Sequence, residues 1–177
     1  MLEPNERKRF DTVMLPQLGA AYTLARYMTR NHHDAEDVVQ ESFLRALKYF
    51  GGFRGGGERD SRAWLLTIVR NTAHTWRQRH QVDALATEFD EAQHSDAIAG
   101  VHQEEALSSS AARATLADVL ARMSPEFREV IVLRELEGLS YKEIGEVVGV
   151  PVGTVMSRLS RARKNLREAL IASDKEN

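Results

Sequence analysis

Residues 139–159 read LSYKEIGEVVGVPVGTVMSRL, a stretch with the residues of two helices joined by a tight turn. Ser140 ahead of an amphipathic turn is a helix start. Ile144 and Val148, four apart, share one face of that helix. Gly149 permits the left-handed backbone of a tight turn, and Pro151 stands where a following helix begins. Val155 on the second helix completes a small core with Ile144 and Val148, and Gly145 lets the two helices approach closely. Helix, tight turn, helix is the spacing of a helix-turn-helix. The second helix presents Thr154, Ser157, Arg158, Arg161, Arg163 and Lys164 outward. Its first turns can enter a major groove, where arginine pairs with guanine edges and hydroxyls reach bases or phosphates. An amphipathic hairpin with a solvated basic face is the bland alternative. The agreement of turn, core pattern and basic face favours DNA binding.

The rest of the C-terminal part is also helical by pattern. Leu116, Val119, Leu120 and Met123 predict a short helix. Ser124-Pro125-Glu126 is a cap followed by proline at the first helical position. The helix it opens carries Phe127, Val130, Ile131 and Leu133 and stops at Gly138. Arg128 and Arg134 are expected to be solvated or paired with neighbouring glutamates. The last helix runs from about Val152 to Ala172.

The N-terminal part has a helical pattern from about Phe10 to Arg30, with a break near Pro16. Asp34 is the expected cap of the next helix, which carries Val38, Val39, Ser42, Phe43, Ala46 and Leu47 and stops before Gly51-Gly52. Residues 51–60, GGFRGGGERD, hold five glycines and read as a loop. Ser61 is the expected cap of a helix through Trp64, Leu65, Ile68, Val69, Ala73 and Trp76. A loop bearing Phe53 and Arg54 beside an arginine- and asparagine-bearing helix can stack on and bond unpaired bases. It is no phosphate-cradling loop, because no Gly-Lys-Ser/Thr follows it and no strand precedes it.

The net charge of −2 conceals an uneven distribution. Residues 1–82 hold 13 Lys/Arg against 9 Asp/Glu, residues 83–118 one against 8, and residues 119–177 ten against 9. Within residues 156–167 there are five basic side chains and no acidic one, a local patch of the kind that attracts a polyanion. The fold expected is all-α: a helical domain over 1–82, a flexible acidic linker over 83–110, and a helix-turn-helix domain over 111–177. With no cysteine, disulfides, thiolate catalysis and cysteine-bound zinc are excluded. No stretch approaches the ~20 apolar residues of a membrane helix, and the charged start MLEPNERKRF lacks a signal core. The expectation is a cytoplasmic protein without membrane insertion and, as the chain ends at Asn177, without a further C-terminal sensing domain. The histidines lack ligand spacing, so neither a metal nor any other cofactor is expected. No catalytic constellation is found, so no enzyme is expected.

Three ordered stretches carry a resemblance: DAEDVVQESFLRA (34–46), WLLTIVRN (64–71) and the motif quoted first, extended to Leu166. In this order and spacing they resemble the extracytoplasmic-function (ECF) sigma factors of RNA polymerase, over residues 10–80 and 112–170. The resemblance implies that the DAED-type helix docks on the clamp helices of the largest polymerase subunit. Asp37, Gln40, Glu41, Phe43 and Leu44 would belong to or brace that surface, and the C-terminal domain would meet the flap of the second largest subunit. It implies recognition of the −10 element by the loop and the helix after it, placing Phe53, Arg54, Arg62, Trp64, Asn71 and Arg77 near DNA. It implies −35 recognition by Thr154, Ser157, Arg158 and Arg161, with Arg163 and Lys164 nearer phosphates. Promoter DNA, core polymerase and an anti-sigma factor are thus the partners implied.

The chain departs from the pattern at Ser61, often Phe in the family, at Thr75, often Asp, and at Met156, often basic or polar. Thr67 and Ile68 stand where housekeeping sigma factors carry paired aromatics used in melting, which implies weak intrinsic melting and a need for near-ideal promoters. A DNA-binding regulator that does not dock on polymerase would share the C-terminal helices. It would need a ligand or phospho-acceptor domain, and the first half shows none. An adaptor that mimics a sigma domain to titrate a regulator would not need the arginines of the last helix.

Overall fold

The computed structural model describes residues 4–86 and 106–175. Every regular element among them is helical, so the all-α expectation holds. Helix α1 (Pro4–Met14) passes through a 3-10 turn at Leu15–Gln17 into α2 (Leu18–Thr29). Pro16 sets that break, since its ring fixes φ and removes an N–H from the ladder. Then come α3 (His32–Tyr49), a 3-10 turn at Phe50–Gly52, and α4 (Glu58–Ala86). Helix α5 (Ala106–Arg122) precedes α6 (Pro125–Ile131), which widens into a π-helical turn at Val132–Leu136. The helix-turn-helix is α7 (Tyr141–Val148) and α8 (Val152–Lys175).

Several expected boundaries move. The cap of α3 is Asn31, not Asp34: the Asn31 side chain accepts the Asp34 N–H at 3.2 Å, and Asp34 sits in the first turn. Helix α4 starts at Glu58, so Ser61 lies inside it, buried, its hydroxyl donating to the Glu58 carbonyl at 2.8 Å. Ser124 occupies the cap position of α6, yet its hydroxyl makes no capping bond and is buried without a partner. Residues 83–86 and 106–110, read as linker, continue α4 and begin α5. The remainder of the expected linker, 87–105, lies outside the described residues.

Helices α2, α3 and α4 pack on one another around Leu24, Ala25, Val38, Ala46, Leu65 and Val69, all fully buried. In the C-terminal unit α6 and α7 pack against α8 around Leu133, Ile144, Val155 and Leu159. The two units meet along a seam, with α4 against α7 and α2 against α6.

Candidate nucleic-acid and polymerase interfaces

The helix-turn-helix is built as its residues dictate. Ser140 and Glu143 form a reciprocal capping box: the Ser140 hydroxyl accepts the Glu143 N–H at 3.2 Å, and the Glu143 carboxylate accepts the Ser140 N–H at 2.6 Å. That second bond is the main reason the Glu143 carboxyl titrates below its ordinary value. Gly149 ends α7 in the left-handed region at φ 76°, its N–H bonded to the Gly145 carbonyl. A Cβ on Gly145 would stand 2.9 Å from the Val150 carbonyl oxygen, so only glycine fits that crossing without a shift.

On α8 the expected readers divide by environment. Ser157 and Arg161 are exposed, and the Ser157 hydroxyl donates to the Thr154 carbonyl at 3.0 Å. Thr154 and Arg158 are half-buried, and Arg158 lines a cavity at the seam. Lys164 is exposed, 3.9 Å from Glu168. Arg163 has a structural partner instead of open space: its Nε and Nη2 both donate to Glu135 Oε1, at 2.9 and 2.7 Å. The bonds to Glu135 and then to Tyr141 raise its pKa and tie α8 back to the π-helical turn. Exposed Val152 and Met156 lie on the first turns of the same helix.

The α4 surface differs more from expectation. Phe53 is not presented to solvent but is 6% exposed, stacked on Phe50 and tilted against Trp64 at 5.0 Å between ring centroids. Arg9 lies over the Phe50 and Phe53 rings, 5.2 and 5.9 Å from their centroids, and closes this aromatic cluster. Phe53 therefore holds the loop to the core: Phe50 before the glycines, Trp64 after them and Arg9 of α1 close around its ring. Trp64 is half-buried, whereas Arg54 and Asn71 are exposed. Arg62 is held from three sides: Nε to buried Gln17 at 2.9 Å, Nη1 to the Glu137 carbonyl at 3.1 Å, and Nη2 to Glu58 at 3.5 Å. Arg77 lines the seam cavity together with Arg70, His74 and Arg158.

Two arginines that sequence reasoning assigned to solvent or glutamates do something else. Arg128 is 5% exposed and donates to the carbonyls of Leu120 (2.6 Å), Ala121 (2.8 Å), Met123 (2.7 Å) and Tyr27 (3.3 Å). Leu120 and Ala121 lie in the last turn of α5 and Met123 one residue past it, where carbonyls lack partners within the helix. Burial, with Arg30 and Arg77 adding to it, lowers the Arg128 pKa to about 10, so the side chain remains a cation at neutral pH. Arg134 donates to the Leu139 carbonyl at 2.7 Å and lies over the Tyr141 ring. Sequence reasoning also passed over Glu129, which is 5% exposed and ion-paired with Arg70 across the seam. Glu137, also at the seam, is pushed up by burial, against the lowering effects of Arg62 and Thr23.

On α3 the expected polymerase-facing residues form one surface. Asp37 and Gln40 are exposed, Leu44 is 64% exposed, and Glu41 is ion-paired with Arg45. Phe43 packs edge-on to Phe10 at 6.4 Å, so it braces a shallow groove between α1 and α3 whose rim includes Gln40, Leu44 and Arg7. Among the described residues no helix is long and apolar enough to cross a membrane.

Residues 16–82 match the family described as Sigma-70 region 2, and residues 113–166 that described as Sigma-70, region 4. The chain is 35% identical over 182 residues to an ECF RNA polymerase sigma-E factor of Haemophilus influenzae, covering 96% of this chain and 91% of that one. It is 34% identical over 172 residues to the ECF RNA polymerase sigma factor SigE of Mycolicibacterium smegmatis, covering 94% of this chain and 63% of that longer relative. Among solved structures it resembles the sigma factor RpoE in complex with the anti-sigma factor NepR from Bartonella quintana. The TM-score there is 0.77 at 28% identity, over 92% of this chain and 97% of that one. CnrH, solved in complex with the cytosolic domain of CnrY, gives 0.64 at 26% identity, over 94% and 90%. A region 2 unit followed by a region 4 unit defines a sigma factor of the sigma-70 class. More narrowly, the chain belongs to the ECF RNA polymerase sigma factors, transcription initiation factors that direct core polymerase to promoters.

Proposed function

We propose that the two units divide the promoter between them, each through the surface described above. Helix α8 reads the −35 element with Thr154, Ser157, Arg158 and Arg161, while Lys164 meets phosphate. Arg163, engaged by Glu135, acts first as the brace that aims the helix. Helix α4 and the loop before it serve the −10 element through Arg54, Arg62, Trp64, Asn71 and Arg77. The α3 surface of Asp37, Gln40, Glu41 and Leu44 docks on the clamp helices of the largest polymerase subunit, and the C-terminal unit on the flap of the second largest. The factor works in the cytoplasm and supplies binding energy and position, with the chemistry left to polymerase. An anti-sigma factor is the regulator this reading expects.

The observation that carries the proposal is the uncovered first half of α8: Ser157, Arg161 and Met156 stand exposed beside half-buried Arg158, on a helix fixed by a capped, glycine-turned partner. Run-off transcription with core polymerase on genomic fragments tests it. Arg158→Ala combined with Arg161→Ala should lower specific initiation by about ten- to a hundredfold, as loss of base-reading arginines does, while co-elution with core polymerase persists. Leu44→Asp should abolish co-elution. Unchanged promoter-specific initiation by the double arginine variant would refute the −35 assignment.

A further inference from the structure

One face of α4, carrying Arg62, Arg70, His74 and Arg77, is covered by the molecule's own C-terminal unit, while Asn71 on the same helix stays exposed. Glu129, near the end of α6, turns its carboxylate away from water onto Arg70 of α4. The same carboxylate stands 3.8 Å from His74 Nε2, a buried atom with no hydrogen-bond partner. Arg70 and His74 are one turn apart on α4, so a single anion meets both. On either side the seam is fastened by Arg62, donating to the Glu137 carbonyl, and by Arg128, donating to the Tyr27 carbonyl. Beside this contact lies a cavity of about 190 Å³ whose lining includes Arg77 and Arg158.

A carboxylate accepting charge-assisted bonds from arginine presents the same donor-acceptor chemistry as a backbone phosphate. One guanidinium engaged in this way by a buried carboxylate is not available to DNA. Resting on the assignment of α4 to the −10 element, we infer that Glu129 is an internal phosphate mimic: a latch that holds the C-terminal unit over α4 and competes with single-stranded DNA for Arg70. The α3 surface lies outside the seam, with Leu44 64% exposed. The closed chain can therefore meet polymerase before it can hold an open strand, and separation of the two units is a required step between docking and strand capture.

The full-length chain has no cysteine, so exposed Thr12 on α1 and Asn165 on α8, each changed to Cys, give a unique spin-label pair across the seam. Glu129→Gln should lengthen and broaden the measured distance distribution. It should also raise affinity for a random-sequence single-stranded 20-mer by about tenfold or more, because apparent affinity scales with the open fraction. The exchange Arg70→Glu with Glu129→Arg should return the parent distance, and circular dichroism checks that each variant is folded. An unchanged distance distribution or an unchanged 20-mer affinity in folded Glu129→Gln overturns the latch. So does failure of the exchange to restore closure. Promoter-dependent run-off by the parent chain reads the sigma-factor assignment separately, so the two failures are distinguishable.

Discussion

Arg128→Leu tests whether a buried guanidinium holds the C-terminal unit together. The side chain closes the end of α5 by donating to three carbonyls at 2.6 to 2.8 Å, with a fourth, longer bond to Tyr27. A hydrogen bond to a charged group contributes about 1.5–3 kcal/mol, and a buried acceptor left unmade costs about 1–3 kcal/mol. Three short bonds set the gross loss. Leucine recovers part of it, because a buried cation no longer has to be desolvated and because the α5 end can readmit water. The net destabilisation expected is about 3 kcal/mol, a large share of what a small helical unit has to lose. With a urea slope near ~1.5 kcal/mol per M, the unfolding midpoint of the C-terminal unit should fall by about 2 M. Arg122→Leu is the control: it also removes an arginine near the end of α5, but one whose side chain is 81% exposed and paired only with Asp118. That change should stay within ~0.5 kcal/mol. Arg128→Lys should be intermediate, since a point donor cannot span carbonyls that a planar fork reaches together. Urea unfolding followed by circular dichroism reads all three. Equal midpoints for Arg128→Leu and Arg122→Leu would show that α5 does not depend on this contact.

Two further outcomes follow from the helix-turn-helix. Gly145→Ala brings a methyl to 2.9 Å from the Val150 carbonyl oxygen and should cost about 1–3 kcal/mol by forcing the turn apart, seen as a lower melting temperature and weaker −35 binding; a parent-like melt would contradict this. Glu143, whose carboxyl is held low chiefly by the Ser140 N–H, binds protons less readily folded than unfolded. It therefore stabilises above its unfolded pKa, and that contribution is lost as pH falls through its lowered folded value. Acid titration of Glu143→Gln should show a shallower loss of stability than the parent on the acid side of the glutamate range; identical slopes would dismiss the capping box as a source of acid sensitivity.

What could be read from the sequence was local. The helix start at Ser140, the left-handed Gly149, the bare Gly145 and the Ile144–Val148–Val155 core all depend on neighbours within about fifteen positions, and the structure has each of them; Glu143, which completes the capping box, is an addition from the structure. The break at Pro16 belongs to the same class. Misreadings arose where a side chain's partners are set by packing between elements and carry no periodic signal, whether near in the chain or far. Phe53 looked free because its neighbours are glycines, yet Phe50, Trp64 and Arg9 hold it. Arg128 looked solvated because glutamates flank it, yet its partners are carbonyls of α5 and α2. Asp34 and Ser61 have the residue types of caps but do not cap. Asn31 and Glu58 precede them, and a helix starts where its first unpaired N–H groups find acceptors rather than at the nearest suitable residue. No local signal marked Glu129 as buried. Its one hint was an acidic residue amid apolar Phe127, Val130 and Ile131, a position whose burial demands a cation from elsewhere.

The two cations engaged by glutamates on either side of the helix-turn-helix differ in how readily they can change partners. Arg163 and Glu135 are 42% and 46% exposed; a pair so open to solvent is worth ~0–1 kcal/mol and exchanges with little cost. Arg70 and Glu129 are 19% and 5% exposed, and freeing Arg70 alone would leave a carboxylate buried without a cation. On the proposed assignment, Arg163 can exchange Glu135 for phosphate with the seam intact, whereas Arg70 becomes available only when the seam opens. If the proposed assignments hold, the burial of the two pairs orders the contacts: the C-terminal helix engages duplex first, and Arg70 follows once Glu129 has been returned to water.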